Sequence, residues 1–226
     1  MTEPVAFPGI LGAIREQTAH LLGTTISYDA EDWARPTPLP GWTRAHVAAH
    51  LVDQALRCID ALEDAAPPAA RPNPAEQRAI EVRALDAGLD LQIELDETAG
   101  RLQEVLTRHD EDRHPVVLAP GWALPAQEVA VVRLRELVVH HHDLIGADAL
   151  DLPPEVVRAV VQFEVDRPRL EGLPPVLLVS DEGFSARVGP EEEAATTVVG
   201  PERDLLLYLA RGIVAPTISG TLAPLH

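Results

Sequence analysis

Lysine is missing altogether: all 18 basic residues in the 226-residue chain are arginine. That excludes Schiff-base chemistry, a P-loop and a lysine general base. Cysteine is almost missing. The single Cys58 rules out an internal disulfide and any multi-cysteine zinc knuckle. Positive charge is scarce, with 18 basic against 36 acidic residues and a formal charge of −18. Such a field repels nucleic acid and anionic lipid, so neither is expected as a partner. No apolar run approaches the roughly 20 residues that span a bilayer. The acidic start Met1-Thr2-Glu3-Pro4 lacks the basic-then-apolar pattern of a signal peptide. A cytoplasmic protein is expected, and abundant Ala, Arg and Pro without Lys suggest a GC-rich, actinobacterial genome.

What is present is enough for a core. The apolar fraction is 46% and mean hydropathy is +0.01, in a chain long enough for one large domain or an ordinary domain plus a small one. The first two-thirds reads as four helices. Ile10 to Leu22 sets Ile10, Ile14, Ala19 and Leu22 at helical spacing. Thr43 is a good N-cap for a segment to about Ala65, with a stripe of Ala48, Leu51, Val52, Ala55, Ile59 and Leu62. The Pro-rich stretch from Ala66 to Asn73 is a loop, and Pro74 suits a helix first turn. One long helical pattern then runs to about Thr107, through Leu95, Ala99, Leu102 and Leu106, weakened by Gly88 and Gly100. A loop through Pro120-Gly121-Trp122 precedes a fourth helix from about Gln127 to Ile145, closed by Gly146. Four amphipathic helices predict a bundle.

The last third mixes elements. Pro153-Pro154 opens a helix to about Leu170. Strands are predicted at Val176 to Val179, Phe184 to Val188 and Thr196 to Val199, before a helix from Asp204 to Arg211. The expected fold is therefore α+β: a four-helix bundle over residues 1–150 and a small α+β domain over 151–226, with the boundary near Ala147 to Pro153.

The chemistry concentrates in helix four, in Glu136-Leu137-Val138-Val139-His140-His141-His142-Asp143. At about 100° per residue, Glu136 and His140 lie about 40° apart, with Asp143 about 20° to the other side of Glu136. Val129, Val132 and Val139 share that arc. A carboxylate inside an apolar stripe is costly unless it is paired or binds a metal. Glu and His at i, i+4 can hold one ion, or can simply hydrogen-bond each other with Asp143 satisfying the imidazole. His141 and His142 point elsewhere on the wheel. A further ligand must come from another helix, where His46 and His50 recur at i, i+4. By spacing alone these two read as a surface pair, opposite the apolar stripe and beside Asp53 and Arg57.

Two runs together carry a family resemblance. They are Leu39-Pro40-Gly41-Trp42-Thr43-Arg44-Ala45-His46-Val47-Ala48-Ala49-His50-Leu51 and, some 85 residues later, Arg135-Glu136-Leu137-Val138-Val139-His140-His141-His142-Asp143-Leu144. They resemble the mycothiol-dependent maleylpyruvate isomerase family of the DinB/YfiT-like superfamily. The resemblance implies a DinB-like bundle and a divalent metal, with zinc as the expected ion, held by His50, Glu136 and His140. It implies a supporting role for Asp143 in orienting a ligand, and none for His46. The segment from Val199 to Gly212 resembles the family's small domain more loosely, with Tyr208 at a Trp position and Arg211-Gly212 in reversed order. An arginine there contacts the family's dicarboxylate substrate. Arg187 and Arg211 are the two candidates, and the departure from the pattern puts maleylpyruvate itself in question.

The activity so implied is metal activation of mycothiol for isomerisation of a small electrophile, or for S-transfer to one. The rival expectations are a non-catalytic metal- or ligand-binding module and a metal-dependent hydrolase. The partners expected are mycothiol and a small electrophile, acting on a monomer or homodimer. Cys58, mid-helix, is expected to be a packing residue, and Trp42 to pack against the bundle.

Overall fold

The computed structural model describes residues 7–63, 74–86, 88–119, 121–146, 152–168 and 174–220. Its contacts divide the chain into two compact units, Ala6–Ala149 and Leu150–His226. The boundary region expected near Ala147 to Pro153 falls mostly outside the described residues, as does the Pro-rich loop before Pro74.

The first unit is built on α1 (Phe7–Thr25), α2 (Ala30–Ala34), α3 (Arg44–Leu62), α4 (Pro74–Arg83), α5 (Gly88–Arg108) and α6 (Val129–Ile145). Helix α3 packs on α5 and α6, and α1 packs on α6 and α5, so four long helices close a ring around a common core. Leu21, Leu51, Ile59, Leu91, Leu95, Leu102, Leu106, Leu134 and Leu137 fill it. Every residue of the stripe expected on α3 is buried. On α1 the stripe shifts after Ile14. Gln17, Thr18 and Leu21 turn inward instead of Ala19 and Leu22. Gln17 is drawn in because its amide lies 2.8 Å from the buried imidazole of His141.

Two expectations fail here for identifiable reasons. The single helix expected from Pro74 to Thr107 is two helices, parted by a turn after Arg83. The second begins at Gly88, where any Cβ would run into the indole of Trp33, so the close approach of these segments requires glycine. The Arg83–Glu94 ion pair, at 2.9 Å, ties the two pieces together. The loop expected before helix four is partly a hairpin. β1 (Pro115–Ala119) pairs antiparallel with β2 (Trp122–Pro125), Gly121 sits at φ +75, and Val116 and Leu124 face inward as partners. A short 3-10 turn, Ala126–Glu128, leads into α6, and Gly146 at φ +87 ends that helix as expected.

The second unit holds α7 (Pro154–Asp166), β3 (Val176–Ser180), β4 (Ser185–Val188), β5 (Thr196–Gly200) and α8 (Glu202–Arg211). The strand order is β4-β3-β5, with β4 antiparallel and β5 parallel to β3. Helix α7 packs on α8. Buried Glu202 is paired through Oε1, which takes both Arg158, at 2.6 Å, and the Ser180 hydroxyl, at 3.1 Å. The two units together make an α+β protein. No helix among the described residues is long and apolar enough to cross a membrane.

Candidate metal centre

The entry to α3 is fixed before the helix starts. Leu39-Pro40-Gly41-Trp42 forms a tight turn in which the Trp42 N–H donates to the Leu39 carbonyl at 3.0 Å. Proline second and a glycine at φ +79 third are the residues that a type II turn requires. Thr43 follows in extended conformation at the N-cap. The side chain that closes the cap is His46, one turn on. Its Nδ1 accepts from the Thr43 N–H at 3.3 Å and lies 2.8 Å from the Thr43 hydroxyl. His46 thus takes the place that Glu or Gln usually holds in a capping box.

One further turn along α3, His50 faces inward enough that only 18% of its side chain is exposed. The surface pair expected from spacing alone is therefore wrong for His50. Helix α3 packs on both α5 and α6, so Gln54 and Cys58, off the main stripe, are buried as well. The indole of Trp42 lies 5.4 Å from the His50 ring, and the His140 ring lies 4.6 Å from it. Trp42 is half-buried and packs on this histidine.

Helix α6 is buried around most of its circumference, including Arg133, Arg135, Glu136, His140, His141 and Asp143. Glu136 Oε2 lies 3.2 Å from His50 Nε2 and 3.2 Å from His140 Nε2. Its other oxygen, Oε1, takes the Arg135 guanidinium at 2.8 Å. On the far side of the ring, His140 Nδ1 lies 2.9 Å from Asp143 Oδ2. Burial alone would push the Glu136 carboxyl up, but Arg135 and the His140 and His50 hydrogen bonds outweigh it and hold the group well below its usual range. Burial pulls His50 below the ordinary histidine value, against the opposing hydrogen bond to Glu136. A neutral imidazole with a free lone pair and an ionised carboxylate are the forms that bind a metal.

This donor set fits a divalent ion. Ligand atoms from His50, Glu136 and His140 all lie within 4.8 Å of one another. Their 3.2 Å separations match the about 3.3 Å between donors that sit about 2.0–2.1 Å from a tetrahedral ion. Asp143, by accepting from Nδ1–H, would leave the His140 Nε2 lone pair turned toward Glu136.

The other expected residues fall elsewhere. His46 is spent on the helix cap. His141 is buried between Gln17 and Thr24, with ring nitrogens at 2.8 and 3.0 Å from them, and is a packing residue. Cys58 is buried, accepts from the Gln54 amide at 3.1 Å, and its thiol is pushed up to about 12 by burial. Arg187 and Arg211 belong to the second unit. The Arg187 guanidinium is taken up by the carbonyls of Pro190 and Glu193, and Arg211 occupies the last turn of α8. Two residues escaped the sequence analysis. Arg135 steadies Glu136. Arg133, fully buried, donates to the Leu51 carbonyl at 2.8 Å and to the Gln54 side chain at 2.7 Å, joining α6 to α3 beside His50. An arginine at i−3 from a buried glutamate, on a helix otherwise rich in valine and leucine, was the available signal.

Residues 13–145 match the model of the mycothiol maleylpyruvate isomerase N-terminal domain, a segment that holds His50, Glu136 and His140. The chain belongs to this family. Uncharacterized proteins from two strains of Mycobacterium tuberculosis are each 32% identical to it over 155 residues, 65% of this chain. The matched stretch spans 58% of the length of those relatives. Among solved structures, the crystal structure of a mycothiol-dependent maleylpyruvate isomerase superposes with a TM-score of 0.82 at 21% identity, covering 97% of this chain and 96% of that one. A histidine-to-alanine mutant of such an isomerase gives a TM-score of 0.79 at 19% identity, with the same coverage. At these identities, the likeness establishes a shared fold over nearly the full chain.

Proposed function

We propose that this protein is a mycothiol-dependent enzyme whose His50, Glu136 and His140 hold a divalent ion, with zinc as the expected metal. The observation that carries this reading is the convergence of those three side chains, from two helices, within 4.8 Å of one another. Family membership and the fold shared with a mycothiol-dependent maleylpyruvate isomerase support it.

When bound, such an ion lowers the pKa of a coordinated thiol and holds it as a thiolate. The chain's own residues prepare the place. His50 and His140 present Nε2 atoms from facing helices, and Arg135 occupies one Glu136 oxygen so that the other stays turned toward both imidazoles. Asp143 fixes the His140 ring, while Trp42 backs His50. Two histidines and one carboxylate leave coordination positions for substrate, as catalytic zinc sites do. The substrate class is a small electrophile with a conjugated double bond, such as a maleylpyruvate-like compound. Addition of the thiol to that bond, rotation about the resulting single bond and expulsion of the thiol give the isomer. Retention of the adduct gives S-transfer instead. In either case the metal-binding domain is residues 1–150, residues 151–226 form the small domain, and Arg187 and Arg211 are its candidate anion contacts. The cytoplasm, where small thiols stay reduced, is the expected location.

The test is metal analysis of the purified protein, then turnover of conjugated electrophiles with and without mycothiol. Turnover that needs both metal and mycothiol supports the reading. Equal turnover without any thiol replaces it with metal-dependent hydrolysis, and metal binding without turnover replaces it with a binding module.

A further inference from the structure

The loop that joins α5 to β1 carries a second convergence of ligand atoms, unrelated in sequence to the first. It reads His109-Asp110-Glu111-Asp112-Arg113-His114. The Asp112 carboxylate stands between two imidazoles, with Oδ2 at 3.0 Å from His109 Nδ1 and Oδ1 at 2.7 Å from His114 Nδ1. The two ring centroids lie 5.8 Å apart, with the ring planes tilted by 57°. One donor atom from each of the three residues lies within 4.8 Å of the others.

The backbone holds this arrangement in place. The His109 N–H donates to Leu106 in the last turn of α5, and the Asp112 N–H donates to the His109 carbonyl. The Asp112 side chain accepts from the His114 N–H at 3.0 Å, an Asx turn. The carbonyls of Asp112 and His114 accept from Gln127 and Ala126, each at 2.9 Å, which ties the loop to the turn that enters α6. A site ordered beforehand loses little entropy when it binds. The Asx turn needs Asp112 alone. It does not account for two imidazoles that both turn Nδ1 toward one carboxylate.

We propose that His109, Asp112 and His114 form a second binding site for a divalent cation of the zinc class, separate from His50, Glu136 and His140. Two imidazoles with one carboxylate select zinc, nickel or copper over magnesium and calcium, which prefer oxygen donors. All three side chains are half-buried, so water completes the coordination from the open side. Exposed Asp110 and Glu111 add negative field beside it. A neutral imidazole that donates through Nδ1 in the metal-free loop binds the ion as its other tautomer. Its proton passes to Nε2, and no net proton is lost. The bound ion ties the end of α5 to the hairpin and to the start of α6. This inference does not depend on the proposed activity.

The test is a zinc titration of the full chain against a chromophoric chelator. The wild type is expected to bind two equivalents. Asp112→Asn, which keeps the Asx turn, is expected to lose one and keep one, while Glu136→Gln loses the other. His114→Gln, with helicity checked by circular dichroism, is a second route to the same loss. A single wild-type equivalent that disappears in Glu136→Gln overturns the proposal. So does a second equivalent that survives in both Asp112→Asn and His114→Gln. A single equivalent removed by Asp112→Asn and untouched by Glu136→Gln would uphold this site and overturn the metal centre proposed above.

Discussion

Asp143 Oδ2 lies 2.9 Å from His140 Nδ1, one turn along the same helix and on the opposite edge of the ring from Glu136. That contact orients the ring, and a metal bound at Nε2 would place the imidazole proton on Nδ1, where Asp143 accepts it. Such partners are typically worth about 10- to 100-fold in metal affinity. Asp143→Asn keeps the volume and removes the charge. It is expected to weaken zinc binding by about that factor in a chelator competition, with helicity unchanged. Unchanged affinity would show that the contact is only structural.

The Thr43–His46 cap joins the Pro-Gly-Trp turn to the helix that carries His50. Removing an N-cap side chain costs about 1 kcal/mol. Thr43→Ala is therefore expected to lower stability by about 1 kcal/mol in urea denaturation, with the slope unchanged. His46→Gln, which can still close a capping box, is expected to retain most of that stability.

Burial raises Cys58, so the thiol stays protonated throughout the ordinary working range. The thiolate is the reactive form, and its fraction is negligible from about pH 6 to about pH 9 when the pKa is about 12. An aromatic disulfide reagent is expected to leave the native protein unmodified and to titrate one thiol after unfolding. Cys58→Ala is expected to keep its metal and its thiol-dependent turnover. Rapid labelling of the folded protein would overturn the packing role.

Arg133 is a buried cation whose Nε and Nη2 have no hydrogen-bond partner among the described residues, while Nη1 bridges to Leu51 and Gln54. Removing this cation alone leaves the buried Gln54 Oε1 without its donor and takes a positive charge from beside Glu136. Arg133→Met is accordingly expected to lower stability by about 1–3 kcal/mol in urea denaturation. The same change releases α3 beside His50, so zinc affinity should fall as well. A variant as stable as the wild type that holds zinc normally would contradict this bridging role.

The parts that local chemistry dictates were legible in the sequence. The stripe on α3, the Gly146 terminus of α6 and the three strands of the second unit follow from periodicity and turn residues. Glu136 and His140 stood out because a carboxylate and an imidazole share an arc with Val129, Val132 and Val139. His50 did not stand out. Its inward position depends on two helices packing on different sides of α3, which a single-helix wheel does not contain. The break before Gly88 was hidden because apolar spacing continues across it, and only the contact with Trp33 explains the glycine. The hairpin was hidden because Pro115–Ala119 and Trp122–Pro125 are too short to show a clear alternation. Arg135 gave no sign as a site residue because its value lies in its contact with Glu136, and Arg133 gave only its i−3 spacing from Glu136 because its bonds reach across the bundle to α3.

We propose that one ion held by His50, Glu136 and His140 makes the protein a thiol-dependent catalyst. The most direct measurement compares wild type with Glu136→Gln, recording bound zinc and mycothiol-dependent turnover of a conjugated electrophile on the same samples. Glu136→Gln keeps the side chain's volume and removes the charge that both imidazoles face. This variant is expected to lose the ion at this centre and all thiol-dependent turnover, while helicity stays at the wild-type level, because the apolar core forms without the metal. A Glu136→Gln protein that loses that ion yet turns over substrate at the wild-type rate would contradict it.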